Sequence, residues 1–562
     1  MNTSPKSRVL FFLPVTLMLA CGGKHSNPSK ELINQLHLKS GQLISCGPPD
    51  KEFGIVDFEI TGSEKVKNEF NTAMELLHSF EYDESEKVFS KIINESPDCA
   101  MAYWGVAMCN FHQLWEPPTE ADLKKGATAI EIAKSITRKS ARESGYIDAI
   151  AAYYKDWNKT ATKIRSINFE KAMERLHSTY PNDKEAAIFY ALALDAAADP
   201  TDKTYTNQKK AGDLLNALYT AEPNHPGIIH YIIHTYDYPG IAKLGLPAAR
   251  KYAMVAPSSA HALHMPSHIF TRLGLWDECI KSNAQSVASA KCYAESAGIN
   301  GHWDEELHGL DYLIYAFLQK GDNKAAREQL NYLATIKEVY PVNFKVAYTF
   351  AAAPSRVALE NNNWDEASTL QLNPSNFPWN KFPWQEAIIH FTRLLGTVHT
   401  GNIEAAHSEL ITLNQLHDTL QKQKELYKAK QVAIQIKTCE AWIKFATSKQ
   451  IEALNLMKLA ADMEDSTSKH PVTPAEVLPA RELYGDMLLQ MKQTENALQA
   501  YEEVLQKSPN RFNSLYGAGV AAEKSGNIKK TAFYYKQLLT ITDSSNSDRR
   551  ELSAARLFLK SH

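Results

Sequence analysis

The feature that most constrains the fold is a segment near the C-terminus that repeats itself at an offset of 34 residues. Small and aromatic residues recur at this offset: Gly485, Ala497 and Tyr501 reappear as Gly519, Thr531 and Tyr535. From about residue 66, amphipathic segments alternate with short turns, and an alternating strand pattern is almost absent. A unit of this length holds two helices that must stack on a neighbour to bury their apolar face. The sequence therefore predicts an all-α solenoid of helical hairpins with a concave groove.

Similar turn phrases open the second helix of several upstream units, at residues 274–278, 321–325, 363–367 and 401–406. A 34-residue helix–turn–helix with small residues at helix contacts and a closing proline, here Pro509, resembles the tetratricopeptide repeat (TPR). The recurring phrases give roughly ten units, some of them degenerate. The resemblance implies that the first helix of each unit lines the groove.

The repeats and their interruptions divide the chain into segments. We predict a lipoprotein signal peptide (1–20), a tether and extended leader (21–64), N-terminal TPR units (65–135), central TPR-like repeats with a histidine-rich groove (136–372), an aromatic loop (373–385), TPR-like repeats (386–463), a loop (464–479), a C-terminal TPR pair (480–545) and a C-terminal helix or tail (546–562). The aromatic loop could either rim a binding face or fill a gap in the packing.

The N-terminus has the pattern of an export signal. Lys6 and Arg8 precede a mostly apolar run over residues 9–20 that is short for a membrane span. The run ends at Cys21 in a phrase that resembles a bacterial lipoprotein signal, in which this cysteine is acylated. We therefore expect a membrane partner reached through a lipid anchor on Cys21. The expected location is the bacterial cell envelope, the outer membrane foremost, with the body in the periplasm or at the cell surface.

Composition excludes several classes of protein. The formal net charge of −3 leaves no basic footprint for nucleic acid. A hydrophobic content of 44% and a charged content of 22% are typical of a globular chain rather than a disordered or polytopic one. The sequence lacks GxSxG, Walker, GxGxxG and HExxH motifs. An enzyme is therefore the less favoured interpretation, although a site assembled across helices stays open.

Histidines are concentrated in one part of the sequence, where six of the 19 lie between residues 225 and 268. His230 and His234 recur 34 residues later as His264 and His268, so each pair takes the same position in successive repeats. Residues at i and i+4 share a helix face, and we expect both pairs and Asp237 to face the groove. Four imidazoles and a carboxylate could hold a divalent transition metal such as Zn, Cu, Ni or Fe.

Three interpretations of these histidines stay open: structural hydrogen bonding, a metal site, or direct contact with an acidic ligand or peptide. Other residues are candidates for the groove surface, namely His225, His261, His302, His308 and Asp311. Pro266 lies between His264 and His268, and a helix that began there would distort the i, i+4 spacing of the pair.

Several phrases together resemble a family of large, uncharacterised bacterial TPR lipoproteins. They are Leu77 to Phe80, Cys99 to Gly105, His225 to Asp237, Ala260 to Phe270, and Lys469 to Pro474 with Leu478 to Glu482. The resemblance covers about residues 41–540 and implies the fold and the location of the motifs, not a reaction. It also implies a cysteine able to pair with Cys46 at position 62, where this chain has Gly62.

The remaining cysteines form no CxxC motif, so most are expected to be isolated buried thiols. Cys279 and Cys292 fall on one predicted helix, about 20 Å apart and too distant to pair with each other. The pairing of Cys46 is left open.

The sequence thus supports two functions. The first is a membrane-anchored TPR protein that binds a protein or peptide partner in its concave groove. The alternative is a metal-binding or metal-dependent protein that uses histidines from two consecutive repeats.

Overall fold

The computed structural model of the chain describes residues 1, 27–48, 52–112, 114, 117–200, 202–543, 545 and 547–562. The predicted signal peptide and Cys21 lie outside these residues. The predicted all-α fold is confirmed, since helices follow one another along the described chain. The N-terminal helices are α1 (Lys30–Asn34), α2 (Glu64–His78), α3 (Tyr82–Glu95), α4 (Ala100–Cys109), α5 (Glu120–Ser135), α6 (Ala141–Tyr154), α7 (Thr162–Thr179), α8 (Lys184–Ala197) and α9 (Thr206–Tyr219).

The central helices are α10 (Pro226–Tyr236), α11 (Ala242–Val255), α12 (Ala260–His264), α13 (Pro266–Leu273), α14 (Trp276–Ser296), α15 (Asp304–Gln319), α16 (Asn323–Thr335), α17 (Phe344–Glu360) and α18 (Trp364–Ser368). The C-terminal helices are α19 (Pro383–His399), α20 (Ile403–Lys422), α21 (Leu426–Ala446), α22 (Gln450–Asp465), α23 (Ala480–Gln490), α24 (Thr494–Lys507), α25 (Phe512–Lys524), α26 (Ile528–Ile541) and α27 (Arg550–Ser561). Two short strands, β1 (His302–Trp303) and β2 (Val339–Tyr340), pair in parallel between hairpins.

Glycines at helix contacts allow the two helices of a hairpin to approach closely. A Cβ atom on Gly519 of α25 would lie 2.2 Å from the ring of Tyr535 on α26. In the contact between α4 and α3, a Cβ atom on Gly105 would lie 2.3 Å from the ring of Phe89. An aromatic side chain thus packs directly on helix backbone, which is the role predicted for the recurring small residues.

The C-terminal hairpins fold back onto the middle of the chain. Trp276 at the start of α14 donates its indole N–H to the backbone oxygen of Asn510, with the two atoms 2.9 Å apart. The fully buried Arg511 forms ion pairs with Glu482 of α23 at 2.7 Å and Glu360 of α17 at 2.8 Å. These contacts close the superhelix on one side, so its inner face is not an open groove along its whole length.

The loop between α22 and α23 lies against the inner face. Lys469 reaches Asp237, with Nζ 3.3 Å from Oδ2. His470 packs on the rings of Phe344 and Trp384, at centroid distances of 4.5 and 5.8 Å. Residues 466–479 therefore occupy part of the concave surface that the sequence predicts as a binding groove.

The aromatic loop packs inward as well. Trp379 is buried and donates its indole N–H to the backbone oxygen of Pro374 at 3.0 Å. Trp384, which opens α19 with Pro383, is also buried. The burial of these side chains favours the second alternative, in which the loop fills a gap in the packing.

A disulfide joins Cys46 in the leader to Cys292 in α14. Cys279 lies on the same helix, as predicted, and stays a free buried thiol like Cys99, Cys109 and Cys439. Among the described residues, no helix combines the length and apolar character required to cross a bilayer.

Candidate functional site

Three first helices of successive hairpins carry the histidines toward one another. His230 and His234 lie on α10, which begins at Pro226 after a cap from the His225 side chain. The next hairpin continues almost without a break from α12 into α13, because Met265 between them keeps right-handed helical angles of φ −52° and ψ −36°. The i, i+4 spacing of His264 and His268 therefore survives Pro266.

The first group, histidine set A, consists of His230, His234 and His261. One ring nitrogen from each lies within 4.8 Å of those from the other two. The Nε2 atom of His230 is 3.1 Å from Nε2 of His234 and 3.2 Å from Nε2 of His261. The ring centroids lie 4.8, 5.0 and 6.4 Å apart.

The second group, histidine set B, consists of His264, His268 and His308, and α15 contributes the last of these. One ring nitrogen from each of these three histidines also lies within 4.8 Å of those from the other two. The Nε2 atoms of His264 and His268 are 3.1 Å apart. The ring centroids lie 5.0, 4.2 and 6.5 Å apart.

The hydrogen bonds behind set B determine which ring nitrogen carries the proton. Asn283 donates its amide to the backbone oxygen of Cys279 at 2.8 Å, which turns its Oδ1 atom toward His264. Nδ1–H of His264 donates to that oxygen at 2.7 Å. Nδ1–H of His268 donates to the Asp237 carboxylate at 3.0 Å. In both neutral imidazoles the proton therefore sits on Nδ1, and Nε2 presents a lone pair.

In set A, His230 also has its proton fixed on Nδ1 by a hydrogen bond. His230 donates Nδ1–H to the backbone oxygen of His78 at 2.6 Å, and a carbonyl oxygen can only accept. The Nε2 atom of His230 is therefore an acceptor that faces His234 and His261. A hydrogen bond from the far ring nitrogen to an oxygen is the contact that orients histidine ligands of metal ions.

Burial keeps the imidazoles of His230, His234, His264, His268 and His308 neutral. It lowers the pKa of His230, His234, His264 and His308 well below the ordinary value, and the neighbouring histidines lower it further. Burial also lowers the pKa of His268, against the opposing effect of Asp237. Neutral imidazole is the form that binds metal ions.

Asp237 stands behind the histidines rather than among their Nε2 atoms. Besides His268, its carboxylate accepts from Arg272 Nε at 2.8 Å and from Lys469 Nζ at 3.3 Å. Burial alone would raise the pKa of Asp237, but these two cations hold it well below its usual range. The hypothesis that Asp237 is a metal ligand is thus less well supported than a role in orienting His268.

Glu305, one turn before His308 on α15, presents a carboxylate to the cluster. Its Oε1 atom pairs with Lys345, and its Oε2 atom is buried and has no hydrogen-bond partner among the described residues. The Oε2 atom lies 4.0 Å from Nδ1 of His261. Burial would raise the pKa of Glu305, but the Lys345 ammonium holds it well below its ordinary value, so the carboxylate is charged.

A third group, His78, Glu185 and His225, could also hold an ion by distance but is fully explained by hydrogen bonds. Nδ1 of His225 accepts from the backbone N–H of Ile228, so its Nε2–H donates to Glu185 at 2.8 Å. His78 contacts the other carboxylate oxygen at 3.0 Å. Here a carboxylate lies between two imidazoles, and lone pairs do not oppose each other.

Two predicted groove residues lie away from both sets. Nδ1–H of His302 donates to Glu306 at 2.8 Å beside β1, and its side chain is 30% exposed. Asp311 forms a fully buried ion pair with Arg356 of α17. Of the candidate residues, His230, His234, His264 and His268 come together as expected, while His261 and His308 join them as members of the sets.

Sequence reasoning missed the residues that orient the histidines. Asn283 and the backbone oxygen of His78 come from neighbouring helices and follow no spacing rule, and the same holds for Lys345, which pairs with Glu305. Lys469 belongs to a phrase that the sequence analysis noted, but only the folded loop brings it to Asp237.

Neither family models nor curated proteins match the sequence. Solved structures of other helical-repeat proteins do match. The P58(IPK) TPR domain is 16% identical, with 67% of this chain and 99% of that chain covered and a TM-score of 0.20. The human IFIT1 dimer with PPP-AAAA is 12% identical, with 91% and 99% covered and a TM-score of 0.35. Naa15/Naa10 bound to HypK-THB is 11% identical, with 88% and 97% covered and a TM-score of 0.24. Likenesses this weak carry no function over to this chain.

Proposed function

We propose that this protein is an exported, lipid-anchored helical-repeat protein that binds a transition-metal ion in its buried histidine cluster. The observation that carries the proposal is the pair of Nε2 atoms in set B. Both belong to neutral rings whose protons sit on Nδ1, and they lie 3.1 Å apart. Two lone pairs at this distance repel each other, and a cation that both nitrogens coordinate removes the repulsion.

The ring spacings fit coordination of one ion by each set. Three imidazoles around a tetrahedral ion at metal–nitrogen distances of about 2.1 Å place neighbouring nitrogens about 3.4 Å and ring centroids about 5 Å apart. Four of the six centroid distances in the two sets lie between 4.2 and 5.0 Å, and one distance in each set is longer, at 6.4 and 6.5 Å. Imidazole ligands suit Zn, Cu, Ni and Fe.

The hydroxyl of Tyr312 offers a competing account of set B. It lies 3.4 Å from Nε2 of His268 and could donate to it. That bond would satisfy one lone pair but would leave the Nε2 atom of His264 at the same 3.1 Å separation. Coordination of a metal ion satisfies both nitrogens together.

Metal analysis of protein without a polyhistidine tag tests the proposal. The protein is stripped with a chelator, dialysed against Zn²⁺ and assayed by elemental analysis. We expect stoichiometric Zn²⁺ in the wild type and its loss in the variant His234→Ala plus His268→Ala. The matched control is His390→Ala plus His399→Ala, since these histidines are hydrogen-bonded to Glu409 and to the Leu395 backbone oxygen.

The control should keep its metal and show by circular dichroism that loss of two histidines does not unfold the chain. A wild type without stoichiometric Zn²⁺, or a set variant that retains it, would contradict the proposal.

The lipid anchor is a separate part of the proposal and rests on the sequence around Cys21. Cys21→Ser should abolish both incorporation of a labelled fatty acid and recovery of the protein with membranes. Labelling that persists in this variant would place the anchor elsewhere.

Binding of a protein or peptide in the groove remains the other hypothesis. Next to the histidine sets, the chain's own residues 466–479 cover the inner face, and Lys469 is held by Asp237. A peptide at that position would have to displace this loop, so the geometry favours the metal.

A further inference from the structure

The two histidine sets lie directly against each other. The ring centroids of His234 and His268 are 6.3 Å apart, and those of His261 and His264 are 6.5 Å apart. These distances between the sets are similar to the longest distance within each set, 6.4 Å in set A and 6.5 Å in set B. Two ions bound at the same time would therefore lie close enough to share a ligand.

A small cavity lies where the sets meet. Its wall includes members of both sets and two charged neighbours, namely His234, His261, His268, His308, Glu305 and Lys345. Its volume of about 20 Å³ is sufficient for one water molecule. Pro471 and Val472 of the loop over residues 466–479 close the cavity on the outside.

One wall of this cavity holds a polar atom without a partner. The Oε2 atom of Glu305 is buried and makes no hydrogen bond to any described residue: Nδ1 of His261 lies 4.0 Å away, beyond hydrogen-bond distance, whereas Oε1 pairs with Lys345. A buried charged oxygen without a donor is costly, so such an atom marks a place where a donor belongs. A metal-bound oxygen that still carries a hydrogen would supply that donor.

We infer that sets A and B together form a dinuclear centre in which one hydroxide ion bridges the two metal ions and donates its hydrogen bond to Glu305. This inference rests on the proposed metal binding and deepens it. Two-metal sites hold their ions about 3.5–4 Å apart, the spacing that a shared oxygen imposes. Each ion then has three imidazole ligands and the bridging oxygen, which completes a tetrahedron.

A second cavity adjoins the first and shares a wall residue with it. This cavity of about 340 Å³ includes His234 of set A in its wall, together with Asp237, Arg272 and Lys469. Water and small solutes that enter it come within contact distance of an imidazole that also lines the bridging cavity.

Loading of the full chain with Cu²⁺ alone tests the inference, because a bridging hydroxide couples the unpaired electrons of two Cu²⁺ ions. We expect elemental analysis to find two ions per chain. Electron paramagnetic resonance should then detect less than about one tenth of the spins that two isolated ions would give. Two ions with their full spin signal would overturn the inference.

Variants that dismantle one set provide the matched comparison. His234→Ala in set A and His308→Ala in set B should each leave one ion whose full spin signal returns. If the wild type itself binds a single ion, the dinuclear centre is refuted while the proposed metal binding stands. If it binds none, the proposed function fails. The wild-type measurement decides both questions even if a variant does not fold.

Discussion

Substitution of Asn283 tests most directly whether the surrounding hydrogen bonds determine which histidine nitrogen is free to bind a metal ion. This residue is completely buried on α14 and makes two contacts that matter. Its amide donates to the Cys279 backbone oxygen at 2.8 Å, and its Oδ1 atom accepts from Nδ1–H of His264 at 2.7 Å. Asn283→Ala removes the acceptor, so the His264 proton can move to Nε2, where it blocks coordination.

The size of the effect follows from these contacts. Loss of a hydrogen bond that orients a histidine ligand weakens metal affinity by roughly 10- to 100-fold. In free energy this is about 1.4–2.8 kcal/mol. The metal-free variant should also lose about 1–3 kcal/mol of unfolding free energy, because a buried polar group loses its partner.

Asn110→Ala is the matched control. Asn110 is also buried, at 5% exposure, and donates its amide at 2.8 Å to a backbone oxygen four residues earlier, that of Val106. It contacts no histidine of either set. Both variants should lose stability in urea titrations, but isothermal titration with Zn²⁺ should show weaker binding only for Asn283→Ala. Equal Zn²⁺ affinity in wild type and Asn283→Ala would refute the reasoning about the tautomer.

Three further predictions concern the scaffold. Cys46→Ser plus Cys292→Ser opens a loop of 246 residues and should lower the unfolding free energy by up to about 5 kcal/mol in guanidinium titrations. Gly519→Ala forces a methyl group onto the Tyr535 ring, 2.2 Å away, and should cost about 1–3 kcal/mol in the same assay. Burial raises the pKa of Asp486 to about 7, so the folded state keeps a proton that the unfolded state releases. Stability should therefore fall as pH rises from about 4 to 7 and level off above that, and Asp486→Asn should flatten this dependence.

Each of these predictions has its own control. Cys439→Ser removes a buried free thiol without opening a loop and should cost less than the double variant. Gly62→Ala meets the Val66 side chain at 3.1 Å rather than an aromatic ring at 2.2 Å, and should cost less than Gly519→Ala. An unchanged midpoint in the double cysteine variant, a neutral Gly519→Ala or an Asp486→Asn variant with the wild-type pH profile would each contradict the corresponding argument.

Local patterns account for much of what the sequence predicts correctly. The 34-residue repeat determines the helical hairpins, because two helices of this length must stack to bury their apolar faces. The recurrence of His230 and His234 as His264 and His268 places both pairs at equivalent positions, and the i, i+4 spacing brings each pair within 3.1 Å. These results depend only on helix geometry and on the repeat period.

Other features depend on residues that are distant in the sequence. The partner of Cys46 is Cys292, 246 residues away, and the loop that reaches Asp237 with Lys469 comes from 232 residues further along the chain. Such contacts form only when the superhelix closes on itself. The repeat period describes neighbouring helices and contains no information about contacts between distant repeats. For the same reason, the sequence predicted a concave groove without placing the loop that covers part of it.

The sequence by itself determined that this protein is a stack of helical hairpins and that two histidine pairs share one register. Only the tertiary structure decided how the imidazoles combine, with His261 completing set A and His308 completing set B. It also decided where the protons sit, because Asn283, Asp237 and the His78 backbone oxygen approach from other helices. The physical reason is that spacing along a helix determines which way a side chain points. The position of the proton on each imidazole and the number of ligands depend instead on which atoms lie opposite each nitrogen.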